Sequence, residues 1–176
     1  MSITIRQSTP ADVFAIRKVQ RITWMDTYPN KEAGILKRDI KSKFANDSTP
    51  QGKAEIARKK KRYQNPSSQI WVAETENNII GFAAAIKEKT NNRIGAVYVL
   101  PQFQHQGIGH QLITKALAWL GKAKPIYVNS ASYNQKALNF YRKYGFRKTG
   151  RQGYLDSAAK LPTGKQIPET ELVKQF

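Results

Sequence analysis

The stretch Ile94-Gly95-Ala96-Val97-Tyr98-Val99-Leu100-Pro101-Gln102-Phe103-Gln104-His105-Gln106-Gly107-Ile108-Gly109-His110-Gln111-Leu112 decides how this chain folds. Its opening run, through Leu100, is apolar and β-rich, and Pro101 then lacks the backbone donor that a central strand would need. Beyond a short polar loop, apolar residues recur at Ile108, Leu112, Ala116 and Leu120, the spacing of one helix face. A strand therefore feeds through the loop directly into a helix. The first amides of a helix have no partner within it, and Gly107 and Gly109 place no side chain between those amides and a ligand. The expectation is an anion site suited to a pyrophosphate.

Two common phosphate loops are excluded by residue. A Walker loop needs Lys-Ser or Lys-Thr after its last glycine, where this chain has His110-Gln111. A dinucleotide fingerprint needs a third glycine where Leu112 stands. The pattern that fits is Q-x-x-G-x-G, filled by Gln104, Gln106-Gly107 and Gly109 after Tyr98-Val99-Leu100-Pro101. This resembles the acetyl-coenzyme A loop of the GNAT superfamily of N-acetyltransferases.

A second segment follows in the expected order. Ile126-Tyr127-Val128 reads as another strand, and residues 134–146 (Asn134-Gln135-Lys136-Ala137-Leu138-Asn139-Phe140-Tyr141-Arg142-Lys143-Tyr144-Gly145-Phe146) resemble the N-x-x-A-x-x-F-Y-x-x-x-G-F segment of the same family. The residues have a physical reading of their own. Asn134 is a good helix cap, Ala137, Phe140, Tyr141 and Tyr144 share one helical face, and Gly145 ends the helix. The likeness extends from about Ile94 to Arg151.

The chain is 176 residues long and carries 30 Lys and Arg against 12 Asp and Glu, a net charge of +18. One domain covering 1–176 is expected at this length. The charge draws anions such as coenzyme A, nucleic acid or acidic surfaces. It is concentrated in residues 31–62, net +7, and 93–176, net +10. There is no cysteine, which excludes disulfides, thiolate metal sites and an acyl-cysteine intermediate. The only histidines, His105 and His110, lie within the loop, so no metal site is expected. The amino terminus opens on the strand-like Ile3-Thr4-Ile5, and no stretch approaches the run of about 18 apolar residues of a membrane span. A soluble cytoplasmic protein with no membrane partner is the expectation.

Along the chain, Ser2 to Arg6 reads as a first strand, and Thr9-Pro10-Ala11-Asp12 as a helix start with Thr9 as its cap. That helix ends near Tyr28-Pro29. A second helix is predicted from Lys31, with Ile35, Leu36, Ile40 and Phe44 as its apolar side, and a third, very basic one from about Pro50 to Arg62. Gln69 to Thr75 and Ile79 to Lys87 read as strands around a Glu76-Asn77-Asn78 turn, in which the asparagines tolerate left-handed backbone angles. Phe146 to Tyr154 and about Gln166 to Val173 close the sheet, joined through Pro162-Thr163-Gly164. The fold class expected is α/β (α+β): a single GNAT-type domain whose mixed, mostly antiparallel sheet of about seven strands splays at its centre, with helices on both faces.

The resemblance implies acetyl-coenzyme A as co-substrate, with no metal. It places the cofactor along Val97, Tyr98 and Val99, with the pantetheine arm bonded to Val97 and Val99 like an added strand. The pyrophosphate falls to the amides of Gln104, His105, Gln106, Gly107, Ile108, Gly109 and His110, and Asn134, Ala137, Phe140 and Tyr141 line the remainder. Tyr141 is implied as the proton donor to the leaving thiolate, and the Val99 amide as the oxyanion donor. His105 is a poor base, because a base must stand near the amine rather than near the phosphates.

Acyl transfer needs a neutral amine, and many relatives place a glutamate on or beside the central strand, where this chain has none. A water chain, Tyr98 or an acid from elsewhere must serve. Asp26, between Trp24 and Tyr28 at the end of the first helix, is the best outside candidate: a carboxylate flanked by aromatics suits an ammonium. Thr23 to Tyr28 also resemble a short stretch of bacterial spermidine/spermine acetyltransferases. Trp24, Asp26 and Tyr28 are thus the expected acceptor contacts, for a small-molecule or peptide amine. The alternative is a basic binding module for an acidic partner such as RNA, without turnover. It is not favoured, since the basic residues are not interleaved with a base-stacking array. A monomer or homodimer is expected.

Overall fold

The computed structural model describes residues 2–59, 61, 65–76 and 78–176. The chain runs through β1 (Thr4–Gln7), α1 (Val13–Thr27), α2 (Lys37–Ser42), α3 (Pro50–Arg58), β2 (Ser68–Thr75), β3 (Asn78–Lys87), β4 (Asn92–Val99), α4 (Ile108–Leu120), β5 (Ile126–Ala131), α5 (Gln135–Lys143), β6 (Arg147–Gly153) and β7 (Glu169–Lys174). The seven strands form one sheet in the order β1-β2-β3-β4-β5-β7-β6. Every neighbouring pair is antiparallel except β4 and β5.

The β4–β5 pair positions the site. These two strands pair only at Asn92↔Ile126 and Arg93↔Tyr127, and then diverge. On the other side of β4, the register with β3 passes from Ala84↔Ala96 to Ala85↔Ile94, which leaves Gly95 as an extra residue. Such a bulge bends and further twists the strand that carries it, and it lies where β4 leaves β5. The sheet is a V, open from Ile94 onward.

Helices cover both faces of β3 and β4. A side chain at Gly81, opposite Val99, would meet Leu112 of α4 at 3.3 Å, so that face belongs to α4. On the other face Phe82 pairs with Tyr98, their ring centroids 5.5 Å apart, and Tyr98 is bonded to Trp24 of α1. The main core joins Ile16 and Val19 of α1, the buried residues of β2 to β5, the α4 stripe Ile108, Leu112, Ile113, Ala116 and Leu120, and Leu138, Tyr141 and Phe146. A smaller core of Trp24, Ile35, Ile40, Phe44, Ala131, Ala159, Leu161 and Ile167 ties the α1–α2 region to the connection before β7.

Several expectations are corrected. The second helix begins at Lys37, not Lys31. Gly34 takes a φ of +69° and Asn30 exchanges backbone hydrogen bonds with Ile35, which commits residues 30–35 to a turn. The third helix ends at Arg58, and part of its predicted continuation, Lys60 and Arg62, lies outside the described residues. Thr9 does not cap the first helix through its hydroxyl. That hydroxyl and the Thr9 N–H both donate to the Asp12 carboxylate, at 3.2 and 2.7 Å, and a 3₁₀ turn over Pro10–Asp12 precedes α1. In the β2–β3 turn the left-handed residue is Glu76, with φ 44°, and Asn77 lies outside the described residues.

Candidate active site

The loop after β4 enters α4 with two left-handed residues, His105 at φ 64° and Gly107 at φ 78°, and Gly107 is the N-cap. The first helical hydrogen bond runs from the Gln111 N–H to the Gly107 carbonyl at 3.1 Å, so the amides of Ile108, Gly109 and His110 stand ahead of it. Gln104 departs from its expected role. Its N–H closes the 3₁₀ turn on Pro101 at 3.2 Å, and its side-chain amide donates to the Val99 carbonyl at 3.0 Å, so the free loop amides begin at His105. The Ile108 side chain is buried in the core, and Gln106 turns outward to the Gln102 carbonyl, so both reach the loop only through their amides.

A cleft of about 590 Å³ runs from this loop along the open edge of β4, lined by Val97, Tyr98, Val99, Gln104, His105, Gly107, Gly109, His110, Asn134, Ala137, Phe140, Tyr141 and the lysines 136 and 143. The Leu100 N–H donates to Ile80 of β3 at 2.8 Å, and by strand alternation Val97 and Val99 direct their N–H groups away from β3, into the V. The open edge thus offers backbone donors to an extended ligand. Asn134 caps α5, accepting from the Ala137 N–H at 3.1 Å. That cap starts the helix whose inner face carries Phe140 and Tyr141. Tyr141 is 6 % exposed, and burial, reinforced by Tyr98, raises its phenol further above the usual tyrosine range. It is a protonated donor at neutral pH. His110 stacks on Tyr144 and shares a 2.6 Å hydrogen bond with its hydroxyl at the mouth of the cleft.

Tyr98 lines both this cleft and a second cavity of about 530 Å³. Its hydroxyl accepts from the Trp24 indole at 3.0 Å and shares a 2.8 Å hydrogen bond with Tyr28. Burial raises the Tyr98 and Tyr28 phenols as well. Trp24 and Tyr28, four residues apart on α1, both face this cavity, whereas Asp26 is exposed and lines neither cavity. The reason is the helical period: residues two apart point to opposite sides. Asp26 is therefore displaced as the acceptor carboxylate.

The acids that do line the second cavity are Asp156 and Glu169. Glu169 opens β7 opposite Ala131 of β5, is 9 % exposed, and accepts the Asp156 N–H at 2.9 Å. Burial, then the neighbouring Asp156 charge, pushes its carboxyl up to about 7, against the pull of that N–H and of Arg93. The sequence carried one signal for it, since only Asp156, Glu169 and Glu171 are acidic in residues 93–176. Nothing local distinguished which of the three faces the V. Two lysine ties join the α2 region to the connection before β7: Lys43 donates to the Ala158 carbonyl at 2.6 Å, and Lys165 pairs with Asp39 at 3.0 Å. Among the described residues no cluster of three or more His, Asp or Glu could hold a metal ion, and no helix is long and apolar enough to cross a membrane.

Comparison with known proteins fits this geometry. Residues 66–148 match the model of the acetyltransferase (GNAT) domain. The peptidyl-lysine N-acetyltransferase YjaB of Salmonella typhimurium is 32% identical over 98 residues, 55% of this chain and 63% of that protein. Its Escherichia coli counterpart is 29% identical over 98 residues, 55% and 62% of the two chains. The chain thus spans somewhat less than two thirds of the length of these curated relatives. Among solved structures, the PaiA N-acetyltransferase of Thermoplasma acidophilum in complex with coenzyme A superposes over 100% of both chains, with a TM-score of 0.72 and 20% identity. A GNAT-family acetyltransferase of Streptococcus pneumoniae superposes over 99% of this chain and 100% of its own, with a TM-score of 0.68 and 17% identity. The splayed strand, the glycine loop and the Tyr141 helix all fall inside residues 66–148, the part of the chain that is similar to the acetyltransferase (GNAT) domain, and the chain shares the fold of these two solved structures.

Proposed function

We propose that this protein transfers the acetyl group of acetyl-coenzyme A directly to a primary amine, with residues 1–176 acting as one domain. The observation that carries this reading is the convergence on one cleft of three groups: the free amides ahead of α4, the unpaired N–H groups of Val97 and Val99, and the buried phenol of Tyr141. Acetyl-coenzyme A supplies the activated thioester. Its pyrophosphate suits the amides from His105 to His110, supported by Lys136 and Lys143, and its pantetheine arm suits Val97 and Val99 as an added strand. In this reading the Val99 N–H meets the oxyanion and Tyr141 protonates the departing thiolate. No cysteine exists to carry the acyl group, which supports direct transfer over an acyl-cysteine intermediate. The coenzyme A bound to the Thermoplasma relative and the lysine-directed names of the YjaB relatives support the same cofactor and an amine acceptor.

The test is release of free coenzyme A thiol from acetyl-coenzyme A in the presence of primary amines. Absence of release across a broad panel, with tight binding of RNA, would favour the basic binding module instead. Saturating acetyl-coenzyme A, at about 100 times Kd, is expected to raise the melting temperature by about 5–10 °C.

A loop variant separates the cofactor site from general stabilisation. Gly107 has open space around its missing Cβ, so the obstacle to substitution is its φ of +78° and not crowding. A β-branched residue there is strained by roughly 1–3 kcal/mol, and the loop relaxes by moving its amides. Gly107→Val is expected to weaken acetyl-coenzyme A binding by about tenfold or more by calorimetry, and Gly107→Asn, which tolerates the left-handed region, by less. Equal binding by parent and Val variant would remove the loop from the cofactor site.

A further inference from the structure

The second cavity is acidic in a protein of net charge +18. Asp156 and Glu169 line it, and Arg93 is the one Lys or Arg side chain among its lining residues. Arg93 also leans 3.8 Å from Glu88, outside the cavity. Asn129 of β5 adds a side-chain carbonyl that is buried without a hydrogen-bond partner, and Ile94, Ala131 and Ile167 supply apolar wall. Acceptors of hydrogen bonds, a buried carboxylate and an apolar stem pocket together describe the complement of an alkylammonium group. We infer that Glu169 is the acceptor-side carboxylate: it receives the ammonium of an alkylamine that enters past Asp156, and it takes the proton that must leave before nitrogen can attack. This rests on the acetyltransferase reading and names its substrate class.

Three features select Glu169 over the other acids. Asp26 lines neither cavity. Asp156 is only half-buried and spends one oxygen on the Ala158 N–H at 2.8 Å, holding the turn before β7. Glu169 uses Oε2 for the Asp156 N–H and stands across the V from Tyr98, whose phenol its charge helps to raise. Tyr98 also lines the cofactor cleft and raises Tyr141, so one tyrosine borders both the proposed acid and the proposed base. The charged and titratable groups that face Glu169 are Arg93 and Tyr98 of β4, Tyr28 of α1 and Asp156 of the connection.

The step balances as follows. The Glu169 carboxylate accepts one proton from R–NH₃⁺ and passes it to solvent. The neutral nitrogen then bonds to the thioester carbonyl carbon, and the C–S bond breaks. The thiolate takes the proton of Tyr141, which recovers one from the new amide nitrogen through solvent. Amide and free thiol result, with one proton released.

The experiment measures coenzyme A thiol release by the wild type, Glu169→Gln and Glu169→Asp between pH 5.5 and 9, with Nα-acetyl-lysinamide and 1,5-diaminopentane as separate acceptors. In the wild type, kcat/KM for the amine is expected to rise through about pH 7, as the Glu169 carboxyl ionises. Glu169→Gln should lower kcat/KM about a hundredfold and abolish that rise, with the KM for acetyl-coenzyme A unchanged. Glu169→Asp keeps the charge and should keep the rise at a lower rate, which holds the test open if the Gln variant fails to fold. A merely structural role predicts loss of stability, whereas the opposite is expected at pH 8. Because the folded carboxyl is raised, its stabilising contribution is complete below about pH 4.5 and lost as pH rises through about 7. The neutral Gln should therefore melt as high as the parent or higher at pH 8. The preferred acceptor of the two identifies the source of the alkylammonium, and either preference supports the inference. A wild type that releases thiol alongside a Gln variant of equal kcat/KM and equal pH profile overturns the role of Glu169 and leaves the acetyltransferase reading standing. A wild type that releases none with either amine, or with the broader panel, overturns both.

Discussion

Tyr141→Phe is expected to lower kcat by about 10²- to 10⁴-fold while leaving the Kd for acetyl-coenzyme A nearly unchanged. The phenol is 6 % exposed, and burial with the neighbouring Tyr98 keeps it protonated throughout the working range. The ring packs edge-on against Phe140 and Phe146, with centroids 5.3 and 5.7 Å away, and Phe preserves both contacts. What the substitution removes is the one hydroxyl of a residue that lines the cleft, so the loss is expected to fall on the departure of the thiolate and not on ground-state binding. Pre-steady-state measurement of thiol release, with calorimetry of acetyl-coenzyme A binding, checks both halves. An unchanged chemical rate would reduce Tyr141 to packing. A Tyr141 variant that loses affinity in proportion to rate would instead make the hydroxyl a binding group.

The second large effect is on stability. Phe146→Ala is expected to destabilise the fold by about 3–5 kcal/mol, a large share of the roughly 5–15 kcal/mol available to a protein of this kind. Phe146 is fully buried at the point where Gly145, at φ 84°, turns the chain from α5 into β6. Its N–H donates to the Tyr141 carbonyl at 3.3 Å, and its ring lies against that of Tyr141. Truncation leaves a void directly beneath the proposed acid, so activity should fall before the fold is lost. Urea unfolding measures the first effect, and kcat in the absence of denaturant the second. A midpoint shift corresponding to less than about 1 kcal/mol would mean that the α5–β6 corner can collapse onto the gap.

The cofactor side and the acceptor side of this protein were legible to different degrees. Pro101 ending a strand, glycines at 107 and 109, the four-residue spacing from Ile108 to Leu120, and Asn134 ahead of an apolar helical face each act through neighbours a few residues away. The strand, the loop and both helices followed from them, and α4 and α5 occupy the segments expected. Where a tertiary contact overrides a local pattern, the expectation failed. The Asn30–Ile35 bridge holds residues 30–35 out of a helix whose apolar spacing is otherwise sound.

The acceptor side depends on what meets across the V. From sequence, Asp26 between two aromatics was the more persuasive carboxylate, and the helical period alone could have warned that it points away from Trp24 and Tyr28. No local pattern points to Glu169. It reaches the site because β7 inserts between β5 and β6, which pairs Glu169 with Ala131 and Gly153, and because β4 parts from β5 after Arg93↔Tyr127, which opens the V that the second cavity occupies. The sequence by itself determined the glycine-lined strand-to-helix loop and the Tyr141 helix, since short-range sterics, capping and side-chain spacing are written in consecutive residues, and the fold class followed from the resemblance of those two segments to the GNAT superfamily. Only the tertiary structure decided which acid, among 12 in the chain, stands across Tyr98 from the cofactor cleft, because strand order and splay are set by long-range pairing that no single segment encodes.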